Sequence, residues 1–194
     1  EPIGPFVQVA RHLHDLGLSA PGLILVDEVA GLALIEDFGH DTYTRLLAAG
    51  HPEGALYRLA VDALVALHRA QPATALAPYD AGQLSDECAL FIDWYAPLLI
   101  GQEAARELRE AFLALFAEAC RDVAQRRETL VLRDYHVDNL MLLEGRQGVA
   151  ACGLLDFQDA LLGAAAYDLM SLLEDARRDV SEALRVALLT HYLM

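Results

Sequence analysis

Leu132-Arg133-Asp134-Tyr135-His136-Val137-Asp138-Asn139, followed after an apolar stretch by Leu155-Asp156-Phe157-Gln158, decides how this chain is read. The first stretch supplies a carboxylate, Asp134, and an amide five residues later, Asn139. The second supplies another carboxylate, Asp156. Phosphoryl transfer from ATP needs those three groups. One carboxylate orients an attacking hydroxyl and accepts its proton. The amide oxygen and the second carboxylate hold the Mg²⁺ ions that neutralise the triphosphate. Alone, Asp134 reads as an ordinary loop aspartate or an Asx-turn; its spacing to Asn139 and Asp156 favours the functional reading.

The flanking residues say how the three groups meet. Leu130-Val131-Leu132 is a short apolar run, so Asp134 stands where a buried strand opens into a loop. Asn139 directly precedes the strand expected over Leu140–Leu143, and Asp156 ends the one expected over Val149–Leu155. Adjacent strand ends therefore bring the groups together. Carboxylate and amide oxygens with open water positions suit Mg²⁺ rather than zinc. His136 has three readings: a donor to the γ-phosphate or the acceptor, a brace for the loop, or a satisfied structural histidine. A His/Asp metal cluster is disfavoured, because no second histidine stands nearby at ligand spacing. His12 and His14 face different sides of a predicted helix, and His68 reads as a core or surface residue.

Outward from these motifs the chain divides in two. Phe6–Leu16 has helical spacing of apolar residues and stops at Gly17. Gly22–Asp27 and Gly31–Glu36 read as a β-hairpin. Residues 37–41 form a connector, and after it helices are expected over Asp41–Ala49, Pro52–Arg69, Gln83–Leu99 and Glu103–Arg126. Asp41 and Ser85 are the expected N-caps, with Pro52 in a first turn. Thr129–Leu132 is a strand, and the two strands flanking residues 144–148 form a hairpin. Ala165–Arg177 returns to helix, and Ser181 caps a last one. The expected class is α+β: residues 1–36 a small-lobe remnant, 37–41 the connector, 42–194 a mainly helical lobe with a small β insertion.

The 194 residues carry a net charge of −15, which argues against a nucleic acid or an anionic membrane as partner. Hydrophobic residues make up 55% of the chain, enough for a large core. Cys88, Cys120 and Cys152 form no CxxC pair and read as free thiols of a reducing, cytoplasmic compartment. No signal peptide is evident, and no apolar run is long enough to span a membrane.

The pattern D-x-H-x-x-N, then an apolar strand and D-F, then Tyr167-Asp168-Leu169, resembles the aminoglycoside phosphotransferase superfamily of small-molecule kinases, which shares the protein-kinase fold. Leu132 and Gln158 replace the histidine and glycine of the protein-kinase motifs, as in the small-molecule branch. Pro5-Phe6-Val7 through Gly17-Leu18-Ser19-Ala20-Pro21, Glu36-Asp37-Phe38-Gly39, Phe91-Ile92-Asp93-Trp94-Tyr95 and Asp156-Phe157-Gln158-Asp159-Ala160 resemble the bacterial anomeric kinases of N-acetylmuramate and N-acetylglucosamine. The resemblance implies ATP and Mg²⁺, Asp134 as catalytic base, and Asn139 and Asp156 on the metal. It also implies that main-chain groups of Glu36, Asp37 and Phe38 read adenine and that Asp168 braces the catalytic loop. Asp168 is otherwise a surface helix aspartate. Trp94 and Tyr95, with Asp159, are the acceptor candidates; a core aromatic pair is the other reading of the first two.

The glycine-rich loop and strand lysine of such kinases do not occur in the chain. It is thus expected to be a piece of a longer, monomeric kinase and inactive by itself; the acid that pairs with the missing lysine is either Glu1 or absent from these residues. The leading expectation is an ATP-dependent sugar 1-kinase. The alternatives are a kinase of aminoglycosides or other small molecules, a pseudokinase or binding module, and a metal-dependent hydrolase.

Overall fold

The computed structural model describes residues 3–71 and 76–194; Glu1 lies outside them. Helix α1 (Gly4–Asp15) buries Val7, Val9, Ala10 and Leu13. It ends as its composition dictates: Gly17 adopts φ +74°, and the Leu18 N–H returns to the Leu13 carbonyl at 3.0 Å. Strands β1 (Leu23–Asp27) and β2 (Leu32–Ile35) form the expected antiparallel hairpin. The chain then crosses to α2 (Tyr43–Ala48) and the long α3 (Glu53–Arg69).

Helix α3 is the spine of the larger part. Leu56, Tyr57, Ala60, Val61, Ala63, Leu64 and Leu67 recur at helical spacing and are all buried. Around it pack α7 (Ala166–Leu173), α8 (Glu182–Leu193), β3 (Thr129–Val131) and β5 (Cys152–Leu154). A second unit consists of α4 (Ala81–Leu90), a π-helical turn (Phe91–Tyr95), α5 (Ala96–Ile100) and α6 (Gln102–Ala119). Among the described residues no helix is long and apolar enough to cross a membrane.

Several boundaries differ from expectation. Thr42, not Asp41, caps α2, its hydroxyl accepting from the Arg45 N–H at 3.3 Å. Asp41 instead offers its carbonyl to Leu142 N–H. Asp80, not Ser85, caps α4 and accepts from Gly82 and Gln83 N–H, so Ser85 sits inside the helix. The helix expected to Leu99 is interrupted by the π-turn. That expected to Arg126 ends at Ala119, and Ala124 then turns inward against Tyr79, Leu84 and Val131. The strand expected from Val149 begins only at Cys152, because Gly148–Ala151 is a 3₁₀ turn. Helix α7 stops at Leu173, where Asp175 forms an Asx-turn with Arg177 N–H. Ser181 caps α8 as expected.

The β insertion is two small sheets. β4 (Leu140–Leu142) pairs antiparallel with β5, and β3 pairs with an unforeseen strand, β6 (Leu161–Gly163). The first of these is stitched to the N-terminal part: Leu154 N–H donates to the carbonyl of Ser19, which follows α1, at 2.7 Å, and Leu142 N–H to that of Asp41 in the connector at 2.9 Å.

His68, on α3, is half-buried against α8, with Nδ1 2.7 Å from the Tyr192 hydroxyl and, among the described residues, no partner for Nε2. Burial pushes its pKa down to about 4 from an ordinary 6.5. The unfolded chain therefore takes the proton more readily, so stability from this site is whole above pH ~6.5 and is lost as pH falls toward ~4. The stability difference between wild type and His68→Leu should shrink by about 1–3 kcal/mol across that window in urea titrations. A pH-independent difference would mean that His68 does not titrate in this range.

Candidate active site

β3 opens into the loop carrying Asp134, and a buried carboxylate shapes the opening. Asp168, fully buried on α7, accepts from Leu132 N–H at 2.7 Å and from Arg133 N–H at 2.9 Å. Burial dominates its titration and lifts the carboxyl to about 7, against the pull of the two N–H donors. The two donors hold Arg133 at φ +73°, a left-handed conformation uncommon outside glycine. From there the loop closes on itself: Asp134 N–H to Leu132 O, His136 N–H to Asp134 O, Asn139 N–H to His136 O. Asp168 is thus a buried residue hydrogen-bonded to the loop rather than a surface one. Asp168→Asn replaces one acceptor with a donor facing an N–H, so it should cost about 1–3 kcal/mol of stability. A shift in the urea midpoint below that range would show that the loop is held otherwise.

The Asn139 and Asp156 side chains meet, and the main chain of Asp134 joins them. The Asn139 Nδ2 donates to the Asp134 carbonyl at 3.1 Å and lies 3.4 Å from Asp156 Oδ2. Leu155 N–H donates to Asn139 O at 3.0 Å, which joins the two motifs through the main chain. Asp156 has φ +58°, so its carboxylate turns out of β5 toward Asn139 while Phe157 turns inward. The Phe157 ring is buried and stacks on Phe6 of α1, centroids 5.2 Å apart and planes 11° from parallel. Gln158 Nε2 donates to the other Asp156 oxygen at 2.6 Å. Asp134 and Asp156 are both exposed. The Asn139 amide assignment is set by this network; a half-turn of the side chain places Oδ1 beside Asp156 instead.

His136 is buried, with Nε2 3.4 Å from Asn139 and, among the described residues, no partner for Nδ1. Trp94 and Tyr95 lie in the π-turn and are 75% and 52% exposed, so they are not a core aromatic pair. Asp159 is exposed and offers its carbonyl to Arg133 Nη1 at 3.4 Å. It lines a cleft of about 350 Å³ with Gln8, Gln83, Arg133 and Gln158; Trp94 and Tyr95 do not line it.

Glu36, Asp37 and Phe38 border another cleft, about 320 Å³, closed below by Leu142, Leu143 and Arg146. Glu36 N–H pairs with Gly22 O, and its side chain accepts from Gly22 N–H and forms an ion pair with Arg146. Burial alone would raise the Glu36 carboxyl, but Arg146 and the Gly22 N–H hold it below its usual range. The Arg146 guanidinium also lies over the Phe38 ring at 5.2 Å, and that ring fills the space a side chain at Gly153 would take. Among the described residues nothing accepts from the N–H of Asp37 or Phe38. Arg146 escaped the sequence reading, since 110 residues separate it from Glu36.

Residues 1–193 match the phosphotransferase enzyme family, APH. The chain belongs to that family. An N-acetylmuramate/N-acetylglucosamine kinase of Caulobacter vibrioides is 38% identical over 204 residues, covering 98% of this chain and 55% of the relative. One of Pseudomonas aeruginosa is 36% identical over 176 residues, covering 91% and 50%. The chain thus spans about half the length of the curated relatives it matches. Among solved structures, ADP-bound aminoglycoside phosphotransferase APH(2'')-Ib gives a TM-score of 0.63 at 17% identity, covering 97% of this chain and 65% of that one. APH(3'')-Id from Streptomyces rimosus gives 0.65 at 15%, covering 98% and 73%. At these identities the likeness is one of fold. This phosphotransferase-family chain has the protein-kinase-like architecture expected of it: a C-helix-like α1 with a hairpin, and a mainly helical lobe with a β insertion.

Proposed function

We propose that the full-length protein transfers the γ-phosphoryl group of ATP to the anomeric hydroxyl of N-acetylmuramate or N-acetylglucosamine. The convergence of Asp134, Asn139 and Asp156 carries the phosphotransferase part of this reading. The relatives at 36–38% identity, which bear that substrate pair in their names, support the acceptor. The acceptor oxygen attacks the γ-phosphorus, the bond to the β–γ bridging oxygen breaks, and the acceptor's proton passes to Asp134. An exposed Asp134 on a braced loop suits a base that must meet an incoming hydroxyl.

The donor set fits Mg²⁺. Asn139 and Asp156 offer hard oxygens on an open side of the loop, and among the described residues no cluster of three His, Cys, Asp or Glu competes for a softer metal. They would hold the ion, which when bound neutralises charge on the triphosphate. Residues 37–41 serve as the interlobe connector in this reading. The unpaired N–H groups of Asp37 and Phe38 at its cleft face adenine, and His136 keeps Asn139 turned toward Asp156.

A screen of ATP consumption over N-acetylmuramate, N-acetylglucosamine, plain hexoses and aminoglycosides tests the acceptor, with product position read by phosphorus NMR. Phosphorylation of the N-acetylated sugars at the anomeric oxygen is expected. Preference for an aminoglycoside, or transfer to another hydroxyl, overturns the acceptor; turnover without nucleotide overturns the kinase reading altogether.

A further inference from the structure

Beside the converging groups lies a polar cluster for which the proposed chemistry has no use. Glu87 sits on α4 less than two turns before the π-turn, and three donors reach its carboxylate. The Arg133 guanidinium forms an ion pair with it, the Tyr79 hydroxyl donates to Oε2, and the Tyr167 hydroxyl donates to the same oxygen at 3.4 Å. The tyrosine rings meet edge to face at 4.9 Å, and the guanidinium lies over the Tyr79 ring at 5.9 Å. Tyr79 is itself fixed, its N–H donating to Leu162 O at 2.8 Å. It packs so closely on Gly163 that a Cβ there would come within 3.1 Å of the Tyr79 Cβ. The side chains of Arg133 and Glu87 are only 25% and 29% exposed. Such a partly desolvated, fully partnered carboxylate fixes geometry better than a surface pair does.

Arg133 immediately precedes Asp134 in the chain and is held by three groups. Asp168 takes its main-chain N–H, Glu87 takes its side chain, and the Asp159 carbonyl accepts from Nη1 at 3.4 Å. A left-handed residue at this place needs no large side chain for its backbone; glycine would adopt φ +73° with less strain. The long side chain instead reaches out to α4, the helix that leads into Phe91–Tyr95. We propose that Glu87 is a positioning residue which, acting through Arg133, sets the catalytic loop in register with α4. The inference rests on the role given above to Asp134. Distance between base and acceptor then depends on an ion pair that touches neither.

The test uses the full-length protein. Glu87→Gln keeps the shape and removes the charge. It should lower kcat for the N-acetylated sugars by about tenfold to a hundredfold and raise KM for the sugar, with KM for ATP unchanged. A merely unfolded fraction would lower kcat and leave both KM values alone. Arg133→Met should behave alike, the double variant should be no worse than the poorer single one, and Arg133→Lys should recover part of the loss. Hydrogen exchange gives a readout independent of turnover: amides of residues 133–139 should exchange faster in Glu87→Gln while those of α3 do not. Additive losses, an unchanged sugar KM, or faster exchange spread equally over α3 would overturn the proposal. If the wild type phosphorylates none of the sugars, the acceptor reading falls, and the exchange comparison alone decides whether Glu87 holds the loop.

Discussion

Asp134→Asn in the full-length protein is expected to lower turnover by a factor on the order of 10²–10⁴, with nucleotide affinity nearly unchanged. The substitution preserves shape and removes only the capacity to take a proton. Asp134 holds its place through its main chain, whose N–H donates to Leu132 O and whose carbonyl accepts from His136 N–H and Asn139 Nδ2. None of those contacts uses the carboxylate, so the loop should survive the change. The comparison is single-turnover transfer alongside binding of a fluorescent ADP analogue. Near-normal transfer would mean that another group accepts the proton, or that alignment of the hydroxyl suffices.

Asp156→Asn should act differently. It leaves the backbone at φ +58° and keeps a partner for Gln158, but replaces the negative oxygen nearest Asn139 with a neutral group. Turnover should fall about a hundredfold or more at fixed magnesium, because charge opposite the phosphates is where this chemistry is most sensitive. Unlike the Asp134 variant, it should be partly restored by raising the magnesium concentration, and the half-saturating concentration should rise. A variant that titrates with magnesium as the wild type does would remove Asp156 from the metal.

Much of this was legible in the sequence because the decisive signals are local. Gly17 ends α1 and Ser181 starts α8 through contacts within a few residues, and both fell where expected. The spacing of Asp134, Asn139 and Asp156 is local too, once strands are placed before and after it. Elements that escaped are short or depend on distant partners. β6 has three residues, Leu161–Gly163, too few for an alternating pattern, and exists because β3 pairs with it. Asp80 and Ser85 can both cap a helix. Ala81 and Gly82 disguise the true start as a loop, and a cap is chosen by which N–H groups lie free. Glu87 stands 46 residues before Arg133, and no pattern in either neighbourhood announces the other. Trp94 and Tyr95 look like core residues by type; their exposure follows from where the π-turn aims them.

That π-turn has a consequence for how the chain tolerates changes in length. A π-helical segment carries one residue more than an α-helix needs for the same advance, and each helical residue turns the side chains by about 100°. Deleting a single residue between Phe91 and Tyr95 would let the hydrogen bonds relax to regular α-helix. The five residues of the π-turn carry the chain through about the same angle as roughly four α-helical ones, so the loss would be absorbed inside the turn and α5 would keep its phase relative to α4. Ala96 would go on facing Ala105. A one-residue gap in this segment is therefore a straightening rather than a cut: it takes out the surplus residue and leaves the flanking helices as they were.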